Sequence, residues 1–464
     1  MDKITFAKTS YELIRIDRLL FSVILVLLFA TCKNNSIAYR TNVQDPEFLH
    51  RSMKEITDRI VHDIFSPPVA SRIYAYAALA GYEAIIHQDK NYQSMAGQLR
   101  NLAKFPQPDS TQEYCYPLAA TEAMLKVGRA LIFSEDELGK FYEKEMQQFK
   151  QAEVPTDVME RSVAFGDLVA KHVLKWSSED NYKESRTFPK YSIKQDPATW
   201  QPTPPAYMDA VEPHWNMIRT FVIDSAQQFK PEPPPGFSKE KNSELYKMAL
   251  YVYKMSKNLS EEQRAMANFW DCNPFVMNVS GHVMFATKKI SPGGHWINIT
   301  RLACEGSHAD MVKSAEAYLR VSFSLADAFI ICWDEKYRST LIRPETYINQ
   351  YIDENWIPVL QTPPFPEYTS GHSVISAAAA TTLSDLFGDS FSYSDSTEVE
   401  YGIPSRKFKS FMHASQEAAV SRLYGGIHYL PACEIGKVVG KQVGDFIIGK
   451  LITNKKRKQA SYGG

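Results

Sequence analysis

The stretch PPFPEYTSGHSVISAAAATTLSDLFG, residues 363–388, decides the fold. A proline-rich segment runs into Ser370-Gly371-His372, and an alanine-rich apolar run follows at once. Alanine has the highest helix propensity and serine is a common N-cap, so the sequence predicts a helix over 371–388. The free N–H groups at its start either bind an anion or are satisfied by a capping turn of Ser370 or His372.

Two more segments of the C-terminal third carry positioned charges. WDEKYRSTLIRP, residues 333–344, places Lys336 and Arg343 seven residues apart at the end of an apolar helix predicted over 308–335. SRLYGGIH, residues 421–428, places Arg422 six residues before His428. Taken alone, each feature has an ordinary interpretation: a solvated helix end, a capping turn or a loop histidine.

Together these residues form a set of donors suited to a tetrahedral oxyanion. Phosphate and vanadate carry two or three negative charges, which arginine forks, a lysine ammonium and helix-start N–H groups bind well. One of two histidines can attack the central atom while the other protonates the departing oxygen. No carboxylate cluster suited to Mg²⁺ accompanies the set, which favours metal-free chemistry. The donors are Lys336, Arg343, Arg422, the Ser370 hydroxyl and the Gly371 amide.

The order Lys-x6-Arg-Pro, Ser-Gly-His, Ser-Arg-x5-His resembles the motif set of the type 2 phosphatidic acid phosphatase and vanadium-dependent haloperoxidase superfamily. The likeness covers residues 308–450. Weaker matches, SPGGHW and WQPTPP, resemble the secreted bacterial haloperoxidase-related branch. The resemblance implies an all-α fold of two packed helix bundles, with the oxyanion site in the core of the C-terminal bundle.

The resemblance also implies roles by position. His428 would be the axial ligand of vanadium in a haloperoxidase, or the nucleophile in a phosphatase, and His372 would be the acid–base residue. Five residues would bind the oxyanion: Lys336, Arg343, Ser370, Gly371 and Arg422. Three would line the pocket: Trp333, Phe365 and His295. For Trp333 and Phe365, simple core packing is the alternative, and for His295 the alternative is an ordinary histidine outside the site.

Two positions depart from the family pattern, and the first is a mild change: Thr369 stands where proline often precedes Ser-Gly-His. The third motif usually carries Asp four residues after the histidine, where a carboxylate orients the imidazole, and this chain has Ala432 there. Either Glu434, another side chain or a backbone carbonyl orients the ring, or His428 is less well activated. The sequence leaves these alternatives open.

Helical periodicity dominates the rest of the chain, although SPGGHWINI, residues 291–299, is predicted to be a loop. Residues 184–238 contain ten prolines, and their aromatic residues favour an ordered loop packed on the body over a linker. We therefore divide the chain into a helical region 33–183, this proline-rich loop 184–238, a helical connecting region 239–307, a phosphatase/haloperoxidase-like domain 308–452 and a basic tail 453–464.

The N-terminus predicts export. The apolar run LLFSVILVLLFA ends at Ala30 and is shorter than the roughly 20 residues of a transmembrane helix, and basic residues precede it. Cys32 follows closely, so residues 1–32 resemble a bacterial lipoprotein signal with Cys32 as the lipidated residue. An uncleaved anchor or a plain secretory signal is the alternative. We expect a protein of the periplasm or cell envelope, attached to a membrane through this lipid only.

Composition narrows the classes of binding partner that the protein can have. Lys+Arg 52 against Asp+Glu 53 over 464 residues lacks the basic excess typical of nucleic-acid binding. Cysteines with irregular spacing and no CxxC argue against a zinc site or a disulfide framework.

The resemblance implies a haloperoxidase-like enzyme that oxidises halide with hydrogen peroxide at histidine-bound vanadate. The alternatives are a phosphatase that hydrolyses phosphate monoesters through a phosphohistidine without a cofactor, and a non-catalytic lipoprotein that binds an oxyanion or partner. The oligomeric state stays open.

Overall fold

The computed structural model describes residues 39–280 and 283–455, so the predicted signal with Cys32 and most of the basic tail lie outside it. The described chain is mostly helical and confirms the all-α prediction. The first half contains α1 Glu47–His62, α2 Pro67–Ile85, α3 Tyr116–Leu131, α4 Glu135–Gln151, α5 Thr156–Ser177 and the single turn α6 Tyr182–Ser185. These helices, with α2, α3 and α5 at the centre, form the N-terminal bundle.

The second half holds the C-terminal bundle, in which α12 packs against α10, α13 and α14. Its helices are α7 Glu244–Lys257, α8 Glu261–Phe269, α9 Pro292–Gly306, α10 Met311–Ser339, α11 Pro344–Tyr351, α12 Gly371–Phe387, α13 Phe411–Tyr424 and α14 Leu430–Lys450. Two short antiparallel hairpins lie between them: β1 Val276–Ser280 with β2 Val283–Thr287, and β3 Tyr393–Asp395 with β4 Arg406–Phe408.

The predicted loop at 291–299 is wrong, because α9 begins inside it. The side chain of Ser291 accepts a hydrogen bond from the Gly294 N–H at 3.1 Å, and Pro292 occupies the first helical position. Serine followed by proline is a helix-start signal, and the same pair, Ser66-Pro67, begins α2. The two glycines masked this signal, since glycine lowers helix propensity.

Two helices that are buried along nearly their whole length join the bundles. Every residue of α2 is buried, and so is α10 from Ser314 to Lys336. The two helices pack against each other, and one continuous apolar core extends through both bundles. None of the helices in the described part of the chain is long and apolar enough to cross a membrane.

The proline-rich segment packs onto this core. Asp327, buried on α10, accepts the backbone N–H groups of Phe221, Val222 and Ile223 at 2.8–3.0 Å. Trp200, Trp215 and Phe221 are buried, whereas Tyr207 is exposed. The segment therefore belongs to the body of the protein and covers one side of α10.

Small residues let α12 and α14 approach closely. Gly436, Gly440 and Gly444 recur every fourth residue, so they share one face of α14. A Cβ atom at Gly440 would lie 2.1 Å from the Val374 carbonyl oxygen and 2.8 Å from Ala377 Cβ. This close packing holds the N-terminal ends of both helices beside each other.

Replacing Gly440 with alanine tests the helix contact. We expect Gly440→Ala to lower the free energy of unfolding by about 1–3 kcal/mol, because the added methyl group overlaps the backbone of α12. Gly449→Ala is the matched control on the same helix, since a Cβ there meets nothing within 4 Å, and it should be neutral or stabilising by up to about 1 kcal/mol. Urea unfolding gives both values, and equal effects would refute the close packing.

Candidate active site

The three predicted motifs meet at one place inside the C-terminal bundle. Lys336 lies near the end of α10 and Arg343 is the N-cap of α11. Ser370 is the N-cap of α12, where its hydroxyl accepts from the Ser373 N–H at 3.4 Å. Arg422 lies in the last turn of α13, and His428 follows two residues before α14 begins. Helix packing therefore collects residues that are up to 92 positions apart in the sequence.

The three cations are buried and held by backbone carbonyls. Lys336 Nζ donates to the carbonyl oxygens of Pro366 and Glu367 at 3.0 Å and of Thr369 at 2.6 Å. Arg343 donates from Nε to Phe365 O at 2.9 Å and from Nη1 to Ile427 O at 2.8 Å, and Arg422 Nη1 donates to Trp270 O. Among the described residues, none of the three cations forms an ion pair with a carboxylate within 4 Å.

Three buried nitrogen atoms of this group have no hydrogen-bond partner within the described chain: Arg343 Nη2, Arg422 Nε and His372 Nε2. Leaving a buried polar atom without a partner costs about 1–3 kcal/mol, and more for a charged group. These atoms line or adjoin one cavity, so a polyoxyanion placed there would accept hydrogen bonds from the two guanidinium groups.

Burial shifts the pKa values of the cations downward. Loss of solvation lowers the pKa of Lys336 to about 8 and that of Arg343 to about 10, and the neighbouring guanidinium adds repulsion in each case. Burial likewise lowers the pKa of Arg422. An anion bound among them would offset this repulsion and return the pKa values toward their ordinary range.

Glu367 orients His428 and so takes the role of the aspartate that the family usually carries at the position of Ala432. His428 Nδ1 lies 2.8 Å from Glu367 Oε1, and the Tyr429 N–H donates to the same oxygen at 2.9 Å. Burial and the cations Arg343, Lys336 and Arg422 hold the pKa of His428 well below its usual value, so the ring is neutral. With the Nδ1 proton directed to Glu367, the Nε2 lone pair accepts a hydrogen bond from Arg343 Nη1 at 3.1 Å, and it can act as a ligand or nucleophile when that bond is given up.

Glu434 does not take this role, because its carboxylate pairs with Lys437 at 2.8 Å and is half exposed. The sequence offered one signal that points to Glu367. It is an acidic residue in an otherwise uncharged segment of prolines and aromatic residues, five positions before His372. Burial raises the pKa of Glu367 to about 7, opposed by Arg343 and Lys336.

The cavity at the centre has a volume of about 30 Å³, room for two or three water-sized groups. Gly371, His372, Arg422 and His428 line it, and so do the predicted aromatic residues Trp333 and Phe365. The last two rings contact each other with centroids 4.9 Å apart. Loop residues that sequence reasoning missed complete the wall: Cys272, Asn273, Pro274 and Phe275.

The prediction that His295 lines the pocket is wrong, because His295 is not among the residues that line the cavity. It is fully buried behind Cys272, with its ring stacked on Trp270 at 4.6 Å. In the first turns of α9, His295 faces the core rather than the cavity. The prediction of a loop at 291–299 did not imply this orientation.

Comparisons with known proteins now bear on the fold and the site. Residues 349–454 match the family model of the VCPO second helical-bundle domain. The chain is similar to the crystal structure of a bacterial vanadium-dependent iodoperoxidase, with a TM-score of 0.84 and 49% identity over 88% of this chain and 97% of that one. The chain belongs to the vanadium-dependent haloperoxidase family.

Two further solved structures share the fold of this haloperoxidase-family chain. They are the holo and apo forms of a bacterial vanadium-dependent chloroperoxidase, each with a TM-score of 0.64 and 18% identity. The holo form covers 84% of this chain and 93% of its own, and the apo form covers 83% and 94%. No curated protein sequence gives a significant match.

Orientation of His428 by Glu367 can be tested with two oxyanions. We expect Glu367→Ala to weaken vanadate binding about 10–100-fold, because an unoriented imidazole is a poorer metal ligand. Phosphate binding, which depends chiefly on the cations, should change less or strengthen as a negative charge leaves the site. Isothermal titration calorimetry measures both affinities. Glu434→Ala is the control and should change neither; equal losses for both oxyanions in Glu367→Ala would contradict the assignment.

The pKa of Lys336 predicts how anion affinity depends on pH. Above pH 8 the free protein loses the Lys336 proton, and anion binding must take it up again, so phosphate affinity should fall by up to tenfold per pH unit. Titrations with inorganic phosphate between pH 7 and 9.5 measure this slope. Lys336→Met should bind more weakly and show no break near pH 8. The same break in the variant would assign the titration to another group.

Proposed function

We propose that this protein is a vanadate-dependent iodide peroxidase. The observation that carries the proposal is the buried group of three cations around the neutral, Glu367-oriented imidazole of His428. With Glu367 ionised, the three cations leave an excess of two positive charges, which suits a dianion. Halide, hydrogen peroxide and a proton would give hypohalous acid and water.

The residues present fit vanadate. His428 Nε2 would be the ligand, and the donors without an acceptor, Arg343 Nη2 and Arg422 Nε, would bind its oxygens together with Lys336. The Gly371 N–H at the start of α12 and the Ser370 hydroxyl would add neutral donors. When bound, vanadate supplies a Lewis-acidic centre that activates peroxide for two-electron oxidation of halide.

His372 is placed to move protons. Its Nε2 has no partner within the described chain, and the residue lines the cavity at the first turn of α12. Burial and the nearby Arg422 hold its pKa well below the ordinary value, so Nε2 is an available proton acceptor. It would take a proton from incoming peroxide and return one to the oxygen that leaves as water.

The cavity lining and sequence similarity support halide as the substrate. Aromatic rings of Trp333 and Phe365 exclude water around the anion site. Iodide is the favoured halide because the relative with 49% identity is an iodoperoxidase.

We also propose that the protein is exported and anchored by a lipid on Cys32. The support is the short apolar run that ends at Ala30, with basic residues before it and the cysteine two positions after it. Cell fractionation tests the anchor: Cys32→Ser should move the protein from the membrane fraction to the soluble fraction. An unchanged distribution would refute lipidation at Cys32.

Single substitutions test the catalytic assignment. With vanadate, peroxide and iodide, we expect His428→Ala to lose activity and Arg422→Ala to lose about 10²–10³-fold in kcat, because each removes a group that holds the charged centre. Exposed residues of the same types provide matched controls, His62→Ala and Arg264→Ala, which should keep full activity. Triiodide absorbance follows the reaction.

A second assay separates the two family chemistries. Hydrolysis of p-nitrophenyl phosphate, measured without vanadate or added metal, should be far slower than iodide oxidation. If hydrolysis dominates and His428→Ala abolishes it, the protein is a phosphohistidine phosphatase and the peroxidase proposal is wrong. If both assays are blank while phosphate binds, the non-catalytic alternative stands.

A further inference from the structure

A buried cluster of sulfur, nitrogen and oxygen atoms lies beside the oxyanion cavity, and the proposed reaction does not use it. Cys272 Sγ lies 3.3 Å from His295 Nδ1, His295 Nδ1 lies 3.1 Å from Glu398 Oε1, and Glu398 Oε1 lies 3.6 Å from Cys272 Sγ. All three side chains are at most 1% exposed. The three ligand atoms therefore form a nearly equilateral triangle in the core.

We propose that Cys272, His295 and Glu398 bind a zinc ion. In a tetrahedral site with Zn–N and Zn–O bonds of about 2.0–2.1 Å and a Zn–S bond of about 2.3 Å, neighbouring ligand atoms are about 3.3–3.7 Å apart. The distances in the cluster come close to this range. A water molecule or hydroxide would take the fourth position.

The ligand set selects the metal. Magnesium and calcium bind through oxygen atoms, whereas a thiolate, an imidazole and a carboxylate together suit zinc. Zinc bound to a thiolate and a carboxylate replaces the protons that otherwise hold these groups together, so no redox step is involved.

Asp395 supports His295 from the other side. His295 Nε2 lies 2.8 Å from Asp395 Oδ2, while Asp395 Oδ1 accepts from the Thr397 N–H at 3.0 Å and from its hydroxyl at 2.6 Å. Metal-bound histidines commonly donate their second N–H to a carboxylate that is itself held by hydrogen bonds. His295, Asp395 and Thr397 form this complete arrangement.

The zinc ion would join three segments that are remote in the sequence. Cys272 belongs to the loop that lines the cavity, His295 to α9, and Glu398 to the connection between β3 and β4. Trp270 stacks on His295, and its carbonyl accepts from Arg422. The ion would therefore hold the backbone that positions Arg422, which makes it a structural site next to the oxyanion site.

Metal content tests the proposal without any activity assay. The full-length protein, purified without chelators in buffer with micromolar zinc, should contain one zinc per chain by mass spectrometry. Cys272→Ser should contain less than about a tenth of this amount, since serine is a poor zinc ligand. Cys304→Ser is the matched control, because Cys304 is equally buried but lies outside the cluster, and it should keep its zinc. His428→Ala should also keep it.

Cobalt substitution identifies the ligands. Co²⁺ in the wild-type protein should give the near-ultraviolet absorption of a cobalt–thiolate bond and the visible bands of tetrahedral coordination, and Cys272→Ser should lose the former. Glu398→Gln provides a second variant if Cys272→Ser fails to fold. Wild-type protein that contains no zinc and binds no cobalt through sulfur would overturn the proposal, whatever the peroxidase assays give.

Discussion

Within the part of the chain that the structure describes, three buried cations have no carboxylate ion pair, and this is the constraint on which the C-terminal bundle depends. Desolvation of charge costs several kcal/mol per ion, and here Lys336, Arg343 and Arg422 receive carbonyl oxygens in place of water. Carbonyls stabilise a cation without neutralising it. The excess positive charge is thus retained for an external anion, and a fold that supplied carboxylate partners would have cancelled it.

Helix packing delivers these groups to one point. Gly436, Gly440 and Gly444 bring α14 against α12, so the start of α12 with Ser370 lies beside the start of α14. The Ser370 N–H donates to the Ala432 carbonyl at 3.1 Å, which links the two starts directly. Helix N-termini carry partial positive charge, and placing two of them here adds to the field of the cations.

The sequence was sufficient for the helical fold and the anion-binding motifs, since both depend on local patterns: apolar periodicity, caps, and charged residues at fixed spacings. The sequence was not sufficient where the role of a residue depends on its neighbours in the folded structure. Glu367 stands out in the sequence as an acid among prolines and aromatic residues, but its role became clear only when the loop placed it against His428. The cluster of Cys272, His295 and Glu398 likewise forms only in the folded chain, because its members come from three segments that no spacing rule connects. The helix at 292–306 was missed because two glycines outweighed a serine–proline start.

Glu367 also explains how the site functions without the acid that the family usually carries at the position of Ala432. The segment 365–369 holds Arg343 through Phe365 O and Lys336 through the carbonyls of Pro366, Glu367 and Thr369, while the Glu367 side chain holds His428. A carboxylate on α14 would orient the histidine alone. One on this segment ties the orientation of the imidazole to the placement of two cations, so a shift of the segment moves ligand and charge together. Because of this coupling, residues 365–369, rather than any single helix, keep the imidazole and the cations of the oxyanion site in position relative to one another.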